Sequence, residues 1–107
     1  YGIVTGGWVG DYPDPTTFLD MWKKGDGNNR TGWSSEAFEA KLKEAAITKD
    51  PLGRLKTLHE AESIMMKDMP IAPICWKTSN YLVHKSVKNW NPMIMKNQPY
   101  KFIDLEN

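Results

Sequence analysis

The stretch DPLGRLKTLHEAESIMMKDMPIAPICW, residues 50–76, decides the fold. Asp50-Pro51 is a helix start, with Asp as the cap and Pro at the first helical position. Leu52, Leu55, Leu58, Met65, Met66 and Met69 then recur at helical spacing, and Asp68-Met69-Pro70 stops the run. Glu62 falls inside that apolar face, where a carboxylate needs a partner or takes up a proton. An ion pair or a backbone hydrogen bond within the protein is the expected partner. Beyond the helix, Pro70 to Trp76 is a short apolar run between prolines, which reads as an edge-type strand.

Working back towards the N-terminus, Ser34 or Ser35 caps a second helix reaching about Thr48. Its stripe is Phe38, Leu42, Ala45 and Ala46, with Glu39 and Lys43 paired at i,i+4. Residues 25–34 are polar and rich in Gly and Asn, and predict a weakly structured loop. Before it, Asp14-Pro15 repeats the cap-plus-proline signal and opens a short helix through Thr17, Phe18, Leu19, Met21 and Trp22. Tyr1 to Val9 reads as a short strand bent at Gly6-Gly7. Working forward, Tyr81 to His84 is a strand candidate, Val87 to Met95 is undecided, and Tyr100 to Leu105 alternates weakly enough for a final strand. The expected architecture is therefore α/β. Three helices pack on a small mixed sheet with strands near residues 2–9, 71–76 and 80–84. The expected buried set is Phe18, Leu19, Phe38, Leu42, Leu55, Leu58, Met65 and Ile74.

The whole chain has 107 residues, 14 basic and 13 acidic side chains, and a formal charge of +1. Its length is that of one domain. That balance speaks against a nucleic-acid binder, which carries a basic excess or stripe. No run approaches the ~18 apolar residues of a membrane span. The single cysteine, Cys75, forms no internal disulfide and lies among apolar residues as inert filler. His59 and His84 stand at no metal-ligand spacing, and no nucleophile or phosphate-loop motif occurs. No catalytic residue, metal or cofactor is expected, and the chain does not read as an enzyme. It opens on Tyr1 with no signal peptide to read, and the aromatics Trp8, Tyr12, Trp22 and Trp33 crowd its first third. Both a segment of a longer protein and a complete processed domain fit that pattern.

Two carboxylates remain, Asp11 and Asp14. They supply too few oxygens for calcium. Asp14 reads as the helix cap. Asp11 reads as a turn-forming residue, but it also follows Trp8 at the mouth of a glycine-bent segment, with Tyr12 adjacent. A carboxylate beside an aromatic wall suits an ammonium group, through charge pairing and cation–π attraction.

The segment Trp8-Val9-Gly10-Asp11-Tyr12-Pro13-Asp14-Pro15-Thr16-Thr17-Phe18-Leu19 resembles the ligand-site segment of the oligopeptide- and dipeptide-binding proteins of bacterial ABC importers. Asn28 to Ser34 resembles the loop that follows in that family. Arg54, Ala61-Glu62 and Asp68-Met69-Pro70-Ile71-Ala72-Pro73-Ile74 resemble its Arg…Ala-Glu…Asp-x-Pro-Ile-x-Pro stretch, and Tyr81-Leu82-Val83 fits the strand after it. The resemblance covers nearly the whole chain and is specific in combination.

It implies a C-terminal piece, residues 1–107, of the second lobe of a periplasmic-binding-protein-like type II fold. The tail from about residue 86 would return towards the first lobe. It implies that Asp11 neutralises a peptide's α-amino group, that Trp8 lies beside the ligand, and that the backbone of Val9 and Gly10 pairs with an extended peptide. Tyr12 completes the expected ligand-binding set. The implied partners are a peptide and the importer's permease. The implied location of the complete protein is extracytoplasmic, in a periplasm or as a cell-surface lipoprotein. Family members that take nickel chelates or sugars need no carboxylate for an amine, so Asp11 favours a peptide. Loss of the first lobe would leave apolar surface around Trp8 and the C-terminal strands, favouring self-association. The competing reading is an independent interaction domain, or a small enzyme, docking a protein partner through its aromatic turn.

Overall fold

The computed structural model describes residues 2–93 and 99–106. They fall into two compact units, Tyr1–Pro73 and Ile74–Asn107.

The first unit is helical. A short helix α1, Thr16–Leu19, continues as a 3-10 turn over Asp20–Trp22. It starts one residue later than the Asp-Pro signal predicts, with Pro15 already in helical dihedrals as the cap residue. The Asp14 side chain still caps, its Oδ1 accepting the Thr16 N–H at 3.0 Å. Helix α2 spans Glu36–Ile47, capped by Ser35, whose hydroxyl accepts the Phe38 N–H. Helix α3 spans Pro51–Asp68, capped by the Asp50 carboxylate on the Gly53 N–H at 2.6 Å. It ends where Met69 turns left-handed (φ 52°, ψ 46°) and Pro70 follows, a residue that cannot continue the hydrogen-bond ladder.

Helices α2 and α3 pack on each other around one core. Leu19 of α1, Phe38, Leu42 and Ala45 of α2, and Leu58, Ala61 and Met65 of α3 are buried there. Each large side chain buried this way contributes about 1.5–3 kcal/mol. Trp33 packs its ring edge-on to Phe38, centroids 5.1 Å apart. Lys41 bridges α2 to α3 by an ion pair with Glu60 at 2.7 Å, and also reaches Glu44 at 3.0 Å. The Lys41 hydrogen bond, with its charge, holds the Glu60 carboxyl below its ordinary pKa.

Three of the eight expected core residues are instead exposed: Phe18, Leu55 and Ile74. The reason for Leu55 is angular phase. The buried stripe of α3 runs Thr57, Leu58, Ala61, Met65. Leu52, Leu55 and Glu62 lie about 100–180° around the helix from Ala61 and are exposed. The sequence pattern merges the two sides into one face. Glu62 is accordingly not buried; its side chain is 54% exposed and lies 3.5 Å from His59 Nδ1.

The loop 25–34 is more ordered than its composition predicts. The Asn29 amide nitrogen donates to the carbonyls of Trp22, Lys23 and Trp33 at 3.2, 3.2 and 2.8 Å. Its oxygen accepts the Thr31 hydroxyl at 2.8 Å, and Asp26 accepts the Asn28 N–H at 2.8 Å. The Trp33 indole N–H donates to Asp68 at the end of α3, at 3.1 Å. The polar residues that mark a loop thus also pin it. Gly25 and Gly32 carry the positive φ angles (79° and 72°) that the turns require.

In the second unit, β1 (Val87–Lys88) pairs antiparallel with β2 (Asp104–Leu105), Val87 opposite Leu105. A 3-10 turn over Tyr100–Phe102 precedes β2. Tyr81 meets Trp90 edge-on, centroids 5.6 Å apart. The sheet is therefore small, as expected, but antiparallel rather than mixed and built from other residues. The strands expected near 2–9, 71–76 and 80–84 are absent among the described residues. Residues such as Ile3, Val4 and Ile74 fit a pleated surface, yet a strand exists only where a neighbour pairs its N–H and C=O groups. The ladder among the described residues joins only Val87–Lys88 and Asp104–Leu105. The expected last strand over 100–105 is reduced to its final pair, because the preceding turn takes Tyr100 to Phe102. Tyr1 and the end of the undecided Val87–Met95 stretch lie outside the described residues.

Candidate functional site

The turn that carries Trp8, Val9, Gly10, Asp11 and Tyr12 is closed by three hydrogen bonds. The Asp11 N–H donates to the Thr17 hydroxyl at 2.9 Å. The Thr17 N–H donates to the Asp14 carbonyl at 3.1 Å, and the Asp14 N–H to the Tyr12 carbonyl at 2.9 Å. Gly10 lets the chain run close over α1. A Cβ there would sit 3.0 Å from the Thr17 methyl and 3.4 Å from the Phe18 ring, tighter than ordinary packing. The Tyr12 hydroxyl donates to Asp20 at 3.1 Å.

The two aspartates of the turn have different surroundings. Asp14 is clamped. Arg54 of α3 grips it with both guanidinium nitrogens, Nη1 to Oδ2 and Nη2 to Oδ1, each at 2.9 Å. The Thr16 N–H and hydroxyl add bonds to Oδ1 at 3.0 and 2.7 Å. The Arg54 hydrogen bonds, then those of Thr16, hold the Asp14 carboxyl far below the usual carboxylate range. Asp11 is open. Its residue is exposed, and among the described residues no side chain or backbone N–H pairs with its carboxylate. The turn therefore holds one carboxylate committed to the fold and one available in solvent. Trp8, Val9 and Tyr12 of the same turn are also exposed.

Sequence reasoning identified Asp14 as a cap but not its ion pair, since Arg54 is forty residues away and no local spacing announces it. It also passed over Thr17. A threonine on the buried side of a short helix, two residues after Asp-Pro, is the signal that points to it.

The remaining candidates lie apart from this turn. Cys75 is exposed rather than buried filler. His84 Nδ1 lies 2.9 Å from the Ser86 hydroxyl in a local turn. Among the described residues no group of three or more His, Cys, Asp or Glu is placed to hold a metal, and no helix is long and apolar enough to cross a membrane.

No protein-family model matches the chain. It is similar to the oligopeptide-binding protein OppA of Bacillus subtilis, 36% identical over 89 residues, which is 82% of this chain and 16% of that protein. It is also similar to the dipeptide-binding protein DppE of the same organism, 30% identical over 96 residues, covering 90% of this chain and 17% of the relative. The periplasmic murein peptide-binding protein MppA of Escherichia coli is 29% identical over 90 residues, 84% of this chain and 17% of its own length. The chain thus spans about a sixth of the length of these relatives.

Proposed function

Because the chain belongs to the family of oligopeptide- and dipeptide-binding proteins, we propose that the complete protein captures peptides outside the cytoplasm and delivers them to the permease of an ABC importer. In this reading residues 1–107 are the C-terminal part of the second lobe of a type II binding-protein fold, with the tail from about residue 86 returning to the first lobe. The role is binding, not catalysis.

The observation that carries the reading is the open Asp11 carboxylate on a turn fixed from behind by Thr17 and Asp14. A peptide's α-ammonium needs such a counter-charge once a closing cleft removes it from water. Trp8 supplies a ring beside it, Val9 and Gly10 offer backbone groups to an extended ligand, and Tyr12 borders the site. Main-chain pairing of that kind gives affinity without reading sequence.

The test uses the complete protein. A buried charge pair that loses one member costs roughly 3–5 kcal/mol. Asp11→Asn should therefore weaken peptides with a free amino terminus by about two to three orders of magnitude. N-acetylated peptides carry no ammonium group and should be affected far less. Equal weakening of both classes in calorimetry would remove Asp11 from the site.

A further inference from the structure

Thr17 is the one buried polar side chain of α1, 4% exposed, and its position is one that valine would fill equally well by shape. The hydroxyl therefore needs a reason. Its bonding partner is the Asp11 N–H at 2.9 Å, and its methyl is the atom against which Gly10 is packed. The threonine's own N–H is fixed by the Asp14 carbonyl, and Asp14 is in turn gripped by Arg54. A continuous set of bonds thus runs from α3 through Asp14 and Thr17 to the backbone of Asp11.

We propose that Thr17 is the positioning residue for the Asp11 carboxylate: its hydroxyl fixes the backbone that aims that carboxylate at the ligand's ammonium group. The proposal rests on the reading of Asp11 given above. Thr17 touches no ligand itself. Its effect passes through Asp11 alone, so it should be visible only with ligands that Asp11 recognises.

The experiment measures calorimetric affinity of the complete protein for a mixture of alanine peptides two to six residues long, and for the same mixture N-acetylated. Thr17→Val keeps the shape and removes the hydroxyl. It should weaken the free-amino mixture about tenfold and leave the acetylated mixture nearly unchanged. Thr17→Ser keeps the hydroxyl and should retain most of the affinity. In an Asp11→Asn background Thr17→Val should add no further loss, the mark of two residues acting as one unit. Equal weakening of both mixtures by Thr17→Val, or a loss in Thr17→Ser as large as in Thr17→Val, overturns the proposal. If Thr17→Val does not fold, Gly10→Ala probes the same coupling by pressing a methyl against Thr17, and an unchanged ratio of the two affinities overturns it. If Asp11→Asn separates the mixtures and Thr17→Val does not, the Thr17 assignment alone falls. If Asp11→Asn fails to separate them, or neither mixture binds, the functional reading falls and this proposal with it.

Discussion

Arg54 and Asp14, forty residues apart in sequence, share two parallel hydrogen bonds of 2.9 Å that tie α3 to the start of α1. Arginine suits this position because its planar fork matches both carboxylate oxygens, which a lysine point charge does not. The pair makes stability depend on acid. A carboxyl whose folded pKa is depressed contributes its full stabilisation above its unfolded value, about 3.9, and loses it as pH falls towards the folded value. The chain should weaken below about pH 4. Asp14→Asn should start less stable at neutral pH and show a shallower acid decline. Denaturant midpoints across the acid range check this, and parallel slopes for the two proteins would contradict it.

Phe38 is the largest fully buried side chain of the described core. Truncation to alanine leaves a cavity between α2 and α3 and should cost about 3–5 kcal/mol. Small domains hold only about 5–15 kcal/mol in total. Phe38→Ala should therefore shift the unfolding midpoint severely, whereas Phe38→Leu should be milder. Circular dichroism melts distinguish them.

Trp33→Phe keeps a ring against Phe38 and removes the indole N–H that meets Asp68. The expected loss is about 1 kcal/mol, the net worth of one hydrogen bond. Asp68→Ala should match it, and the double variant should lose no more than either alone. A fully additive double variant would show that the two residues act separately.

Glu62→Gln should change stability by less than about 0.5 kcal/mol, as expected for an exposed position away from the core. A loss of several kcal/mol in equilibrium unfolding would put the carboxylate back inside the apolar face.

Ile74, Trp76 and Leu82 are each more than 80% exposed, at 86%, 88% and 106%. Large exposed apolar groups favour association. The isolated chain should form dimers or larger species at high concentration, and Leu82→Lys should reduce them. Sedimentation that stays monomeric up to millimolar protein would refute this.

The helices were legible because their signals are local. Ser35, Asp50 and Pro51 mark starts, Met69-Pro70 marks a stop, and Phe38, Leu42, Leu58 and Met65 keep a strict phase. The strands were not, because pairing is a relation between two segments, and the propensity of Ile3 or Ile74 describes only one of them. The phase error at Leu55 and Glu62 has a related cause. Apolar residues on the far side of α3 imitate a single broad face, and only the positions of Thr57 and Ala61 show where its centre lies. At the candidate site, Asp11 stands out in the sequence beside Trp8 and Tyr12, while the bonds behind its backbone do not. Arg54 reaches Asp14 through space, and Thr17 looks like any threonine until its hydroxyl is seen on the Asp11 N–H.

Asn29 gathers three backbone carbonyls on one amide nitrogen. Exchange of that nitrogen for oxygen, as happens when asparagine side chains hydrolyse slowly during storage, would turn a shared donor into a negative charge facing three acceptors. The loop between α1 and α2 would then have to open. The age of a sample thus becomes a structural variable, and the fraction hydrolysed at this single side chain should set how much of an old preparation still keeps the loop between α1 and α2 closed.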